Sequence, residues 1–441
     1  MNDPDLSQFS TLLNQRFQLS KLLSLFTAQD QPVIAGGAVR DFLLGRPFHD
    51  LDISTRSDPS SAARRFARAI SGKWFWLDRE RRQSRVLLKT GEGELCFDFT
   101  PWRAETLEGD LRSRDFTINA IGVQPDGSGG LSLRDFTGGI DDLDSGCLQL
   151  CSDNALTDDP LRILRGLRLA AQLRLSISTE LLGLMTQHTQ LLRHSAGERL
   201  ANELQLLFAA EPQLEHLQQL QESGVLAELG IRLQADELIE LSAEWSDWTR
   251  QIAGLDDAHG RRFQGHVTGT DSLPDLLKFA RLVERGCDSG RRRKLLNRLR
   301  CRRARARLLD CFWNVFAGDY AWPGGWPERP RARLRRLEEL APHSEAVLLA
   351  LWLFQGRKAE ELAVVDELLE LAARNLVNGR LDELLSGREL MQLFNLEPGV
   401  TVGRCQELLR REEYSGRIDN REEALQYLAK RADKEIDKVI P

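Results

Sequence analysis

Val33-Ile34-Ala35-Gly36-Gly37-Ala38-Val39-Arg40-Asp41, followed shortly by His49-Asp50-Leu51-Asp52-Ile53, is the stretch on which the fold turns. A short apolar run ending in two glycines and then a helix-forming segment reads as strand, tight turn, helix from Ala38 to Leu44, with Gly45 as the stop. Paired glycines let a ligand approach the backbone, and a helix start offers free N–H groups to phosphate, with Arg40 placed to add a charged fork. On the next strand, Asp50 and Asp52 are two apart and point to one face. Two carboxylates so placed repel unless a cation lies between them, and oxygen donors beside phosphates suit Mg²⁺. Two such ions about 3.5–4 Å apart can activate a hydroxyl and stabilise a leaving pyrophosphate. A plain turn and a solvent-facing Asp-x-Asp are the bland alternatives, and neither feature alone excludes them.

Outward from this stretch, strands are predicted at Pro32–Ala35, Leu51–Ser54, Val86–Leu88 and Leu95–Phe99. To about Leu150 the chain reads as mixed α and β. Beyond Asp153 strand signals almost vanish, and Leu161, Leu164, Leu167 and Ala171 fall on one helical face. The class is therefore α+β, with a mixed-sheet head followed by an all-α remainder. Two breaks are predicted in that remainder, Gly254–Pro274 and the Trp- and Pro-rich Tyr320–Pro327.

A chain of 441 residues exceeds one compact core and implies two to four structural units. Its net charge of −6 argues weakly against nucleic acid, but a local basic face suffices for phosphates. Seven cysteines without CxxC spacing indicate reduced thiols and no zinc site. The N-terminus has no apolar signal region, and no run reaches the ~20 apolar residues of a membrane span, so a cytoplasmic location is expected.

Further motifs follow in order: Arg114-Asp115-Phe116-Thr117-Ile118-Asn119-Ala120; Arg134-Asp135-Phe136-Thr137-Gly138-Gly139; Asp158-Asp159-Pro160-Leu161-Arg162; and Glu198-Arg199 with Glu203-Leu204. Asp159 and Arg162, three apart, share a helical face, and an acceptor beside a donor can read a base edge. Helix capping by the acids with a solvated Arg face is the alternative. Together these motifs resemble the class II tRNA nucleotidyltransferase and bacterial poly(A) polymerase family. The resemblance runs from about Val33 to Asn202 and resumes from about Leu384 to Leu428.

The resemblance implies a polymerase-β-like nucleotidyltransferase head (1–150), a helical neck that selects the nucleotide (151–210), a helical RNA-binding body (211–375) and a helical tail (376–441). It implies Asp50 and Asp52 as catalytic Mg²⁺ ligands. It places CTP or ATP against Gly36, Gly37, Arg40, Arg114, Asp159, Arg162, Arg165 and Arg168, with tRNA as the acceptor. Asp98 is a candidate third carboxylate. The Gly138–Gly139 turn and the Glu198–Leu204 motif are read as structural. Poly(A) polymerase and an inactive RNA-binding relative remain the alternatives.

One departure bears on the product. Members that add CCA carry a flexible loop ahead of the second motif, whereas members that add only CC lack it. Here Ala104–Asp110 alone fills that interval, although Asp78–Arg85 is unusual enough to hold a displaced loop. Basic blocks at Arg291–Arg307 and Arg331–Arg336 suit an RNA backbone or a solvated helix face, and Trp322 and Trp326 suit packing or base stacking.

Overall fold

The computed structural model describes residues 5–91, 93–127, 130–268 and 271–432. They form two compact units, Met1–Leu229 and Gly230–Pro441.

The first unit is built on a seven-stranded sheet: β1 Val33–Ala35, β2 Asp50–Thr55, β3 Lys73–Asp78, β4 Gln83–Thr90, β5 Gly93–Pro101, β6 Gly122–Pro125 and β7 Leu131–Arg134, in the order β3-β4-β5-β2-β1-β6-β7. Within this sheet, among the described residues, only β2 and β5 pair in parallel. The strict alternation of β2 and β5 sorts the sheet into two faces. Leu51, Ile53, Phe97 and Phe99 are buried on one face, while Asp50, Asp52, Cys96 and Asp98 alternate onto the other.

The apolar face is covered by two helices. Ser60–Ala69 buries Ala62, Ala63, Phe66 and Ala67, and its Phe66 ring stands edge-on to Phe97 at 5.0 Å. Leu6–Phe17, capped by Asp5, buries Phe9, Leu13 and Phe17, and Phe17 meets Phe97 at 5.7 Å. The i, i+4, i+8 spacing of those three residues produces this helix. The polar composition of the segment hid this helix in the sequence, and β6 and β7, four residues each, are too short to carry a strand signal; β3, with Trp74, Phe75, Trp76 and Leu77, has strand-forming residues and is not among the predicted strands.

Helices Leu161–Leu173 and Gly197–Ala209 follow, and the predicted stripe Leu161, Leu164, Leu167 and Ala171 is buried. Gly166 permits close packing there, since a Cβ would lie 2.8 Å from the Phe116 ring.

The second unit is helical. The predicted break at 254–274 contains a helix, Asp257–Gln264, capped by Asp256, and a small pairing of His266–Thr268 with Asp271–Ser272. The predicted loop at 320–327 contains one 3₁₀ turn, Pro323–Gly325. Its Trp322 and Trp326 are buried, with Arg357 and Arg336 over their rings. They pack rather than stand free to stack on bases. Asn420 caps helix Arg421–Ala432 through the Glu423 N–H at 3.0 Å, as its side chain favours. Among the described residues no helix is long and apolar enough to cross a membrane.

Candidate active site

The polar face of the sheet opens into a cleft of about 1380 Å³ lined by residues of the first unit. Its floor is the turn after β1. Gly36 has φ +91°, a conformation that L side chains rarely adopt. A Cβ there would lie 2.8 Å from Asp52 Oδ2 and 3.1 Å from Arg114 Nη1. The glycine therefore lets a carboxylate and a guanidinium close over the strand end. Gly37 opens the helix Gly37–Leu43, and a Cβ on it would meet only Arg40 Nη2, at 3.6 Å.

Asp50 is exposed and is not among the cleft-lining residues, whereas Asp52, on the same face of β2, lines the cleft. Burial pushes the Asp52 carboxyl up from its ordinary value; Arg114 opposes this, and Asp98 and Asp50 add to it. An inward carboxylate beside a second one, with oxygen donors alone, fits a hard divalent cation. Cys96 beside them is pushed up to about 12 by burial and by Asp50, so it stays a thiol. Among the described residues no three His, Cys, Asp or Glu side chains converge on a metal position.

The candidate third carboxylate is engaged elsewhere. Asp98 stands opposite Asp52 in the β2–β5 register, but Arg85 Nε and Nη2 donate to its two oxygens at 2.7 Å each. That bidentate pair raises the Arg85 guanidinium further and takes up the Asp98 lone pairs facing it.

Arg114 and Arg40 have opposite fates. Arg114 lies over Gly36 and lines the cleft, its Nε buried without a hydrogen-bond partner and its Nη2 3.9 Å from Asp110. Such an under-used guanidinium is poised for an anion. Arg40, expected to hold phosphate, is only 6% exposed and is not among the cleft-lining residues. It donates to Asp41 at 2.9 Å and to Asn119 at 2.6 Å. The seven-residue helix turns Arg40 beneath the floor, so it braces the site.

Asn119 passes that brace on, donating to Asp115 Oδ1 at 3.2 Å, while Arg165 Nε meets Asp115 Oδ2 at 2.6 Å. Burial opposes the Asp115 charge, but Arg165, the Phe116 N–H and Asn119 hold its carboxyl below the usual range. The second motif thus joins the cleft floor to helix Leu161–Leu173. The third motif fastens the same joint. Asp135 accepts from the Gly138, Gly139 and Ile140 N–H groups, and Gly139 sits where a Cβ would meet the Thr117 carbonyl at 2.2 Å.

Asp159 and Arg162, the residues expected to read the base, are brought to one wall, but not as consecutive helical neighbours. Asp159 has extended backbone ahead of Pro160, which caps the Leu161 helix. The Asp159 carboxylate accepts from the Leu161 N–H at 3.2 Å and from Arg199 at 2.7 Å. Arg162 donates to the carbonyls of Ala155 and Ser113. Arg168 pairs with Glu203 at 2.8 Å and with Gln172 at 2.9 Å. It is therefore a brace beside the wall, and it too is not among the cleft-lining residues.

Arg199 and Glu203 were read from the sequence as generic helix support. Arg199 contacts the predicted selector Asp159 and Glu203 contacts Arg168, and their i, i+4 spacing was the available signal. Trp102, Arg103, His194 and Asn202 also line the cleft and carry no sequence signal of their own.

In the second unit the two basic blocks also separate. Arg331 and Arg335 pair with the buried Glu413, Arg333 with Glu367, and Arg336 lies over Tyr414. This block holds helices together. In the other block Arg292 and Arg305 are tied inward, whereas Arg291, Arg293, Lys294, Arg302, Arg303 and Arg307 are exposed.

Known proteins align with this arrangement. Residues 33–149 match the model of the poly A polymerase head domain, and residues 174–230 match that of a probable RNA and SrmB-binding site of polymerase A. A CC-adding tRNA nucleotidyltransferase of Geobacter sulfurreducens is 33% identical, over 90% of this chain and 91% of the relative. An A-adding tRNA nucleotidyltransferase of Deinococcus radiodurans is 29% identical over 91% and 95%. The fold matches that of a Thermotoga maritima CCA-adding enzyme complexed with tRNA, with a TM-score of 0.59, 22% identity and coverage of 97% and 98%. With a cleft of this construction and a relative at this identity along nearly its whole length, the chain belongs to the tRNA nucleotidyltransferase family.

Proposed function

We propose that this nucleotidyltransferase adds two C residues to the 3′ end of tRNA, taking CTP and releasing pyrophosphate. The observation that carries the reading is the short link between β5 and the next helix. Residues 102–106 alone join Pro101 to helix Leu107–Arg112, which Thr106 caps. Nor does the alternative interval hold a loop, since β3 and β4 are joined by the tight turn 79–82. A site without a mobile segment there is the arrangement expected of members that stop at CC. The full-length likeness to a CC-adding relative supports the same reading.

Asp50 and Asp52 would hold Mg²⁺, which supplies Lewis-acid stabilisation of the attacking and leaving oxygens when bound. The chain's own residues do the rest. Gly36 and Gly37 admit the triphosphate to the backbone, and Arg114, with its free Nε, neutralises it. Asp159 is aimed by Arg199 and accepts the cytosine 4-amino group, while Arg162 donates to the ring nitrogen and carbonyl on the same edge. Uracil presents the opposite pattern at two of those three positions. Arg165 assists from the wall, with Arg40 and Arg168 as braces beneath it. The head and neck (1–150 and 151–210) supply this site, and the body (211–375) holds RNA, with Arg291, Arg293, Lys294, Arg302, Arg303 and Arg307 on the phosphate backbone, ahead of the helical tail (376–441). Seven free cysteines agree with a cytoplasmic setting.

Incubation with Mg²⁺ and tRNA transcripts ending before CCA, after C and after CC, with CTP, ATP or both, tests the reading. Extension to CC and no further supports it. Full CCA, A addition alone or long A tails would each replace it, and no incorporation by folded protein would sink the enzyme assignment.

A further inference from the structure

One row of residues crosses the sheet from the catalytic pair to its edge. The register sets Asp52 opposite Asp98, Asp98 opposite Arg85, and Arg85 opposite Phe75. Directly opposed residues point to the same face, so Phe75 stands on the catalytic face of the edge strand β3. Three strand spacings of about 4.8 Å put it roughly 14 Å from Asp52.

The other face of β3 is covered. Trp74 and Trp76 lie beneath Arg64 of helix Ser60–Ala69, at 4.3 and 5.7 Å from guanidinium to ring. On the catalytic side Phe75 is 40% exposed and Leu77 47%. Two large apolar side chains bare on an edge strand are a liability that natural sheets avoid, which calls for an occupant.

Geometry names the side from which that occupant comes. Gly36 and Arg114 meet Asp52 from the β1 side. With the triphosphate there, in-line displacement brings the attacking hydroxyl from the opposite side, over β5, β4 and β3. The cleft extends that way through Arg81 and Gln83 at the β3–β4 turn. An aromatic ring flanked by a basic turn is the equipment for holding a single-stranded nucleic-acid end.

We propose that Phe75, flanked by Leu77 and Arg81, is the platform on which a base of the unpaired tRNA 3′ end stacks while its terminal hydroxyl reaches Asp52. The proposal rests on the triphosphate lying against Gly36 and Arg114.

The test measures steady-state CMP incorporation by Phe75→Ala, Phe75→Leu and Phe75→Trp, together with quenching of a 2-aminopurine placed at the primer 3′ end. Loss of the ring should raise KM for tRNA about tenfold in both the Ala and Leu variants, leave KM for CTP within about twofold and abolish quenching. Phe75→Trp should restore both readouts. An unchanged KM for tRNA, retained quenching, or an equal rise in both KM values would overturn the platform. Arg114→Ala separates the two readings. If it leaves KM for CTP unchanged, the placement of the triphosphate fails, whatever Phe75 does.

Discussion

Replacing Gly36 by Ala tests the centre of the site with the smallest possible change. The backbone there has φ +91° and ψ −145°, where an L residue costs about 1–3 kcal/mol. The added Cβ would also fall 2.8 Å from Asp52 Oδ2, a separation real Cβ atoms do not adopt, so the carboxylate must move. For a unit of this size the strain corresponds to a fall in Tm of about 2–12 °C. Displacing a metal-binding carboxylate by even about 1 Å should lower kcat on the order of 100-fold. Gly37→Ala is the internal control. Its Cβ meets only Arg40 Nη2, at the ordinary distance of 3.6 Å, so its Tm should stay within about 2 °C of the parent. Thermal unfolding and single-turnover CMP incorporation on a tRNA lacking CCA read both effects. A Gly36→Ala variant with parental Tm and kcat, or a Gly37→Ala variant equally unstable, would refute the reasoning.

Three further outcomes follow from the same geometry. Asp52→Asn should abolish incorporation, about 1000-fold or more, yet raise the metal-free Tm at neutral pH. Burial lifts the Asp52 carboxyl, so the folded state holds its proton more tightly than the unfolded chain; stability then falls as pH rises from the ordinary carboxylate range through the raised value, and the Asn variant should lose that dependence in a pH series of melts. Arg199→Ala releases Asp159 from a 2.7 Å contact; CTP preference over UTP should fall roughly tenfold in competition assays, with little change in Tm because Arg199 is exposed. His259 is raised by its bonds to Asp256 and Asp366, against burial, so its contribution is full below the unfolded value and is lost as pH climbs through the folded one; melts of the parent should lose about 1–3 °C more than those of His259→Gln across that window.

The order of motifs carried the reading of the enzyme because each is a local demand of the backbone. A glycine pair must turn, and alternate carboxylates on a strand must share a face. These requirements hold over a few residues and are legible wherever the chain goes next. Thus β1, β2, β5, the Gly37–Leu43 helix and the Leu161 stripe were all visible in the sequence. What depended on partners distant in the chain was not. Arg40 looked like a phosphate fork until Asn119, 79 positions away, claimed it. Asp98 looked like a free carboxylate until Arg85 took both its oxygens. Arg331–Arg336 looked like an RNA surface until Glu413 and its neighbours neutralised it. A charged side chain advertises its chemistry in the sequence, but whether that chemistry is spent on the fold or left for a substrate is decided by which counter-charges the tertiary structure brings within a few ångströms, where the interaction outweighs solvation.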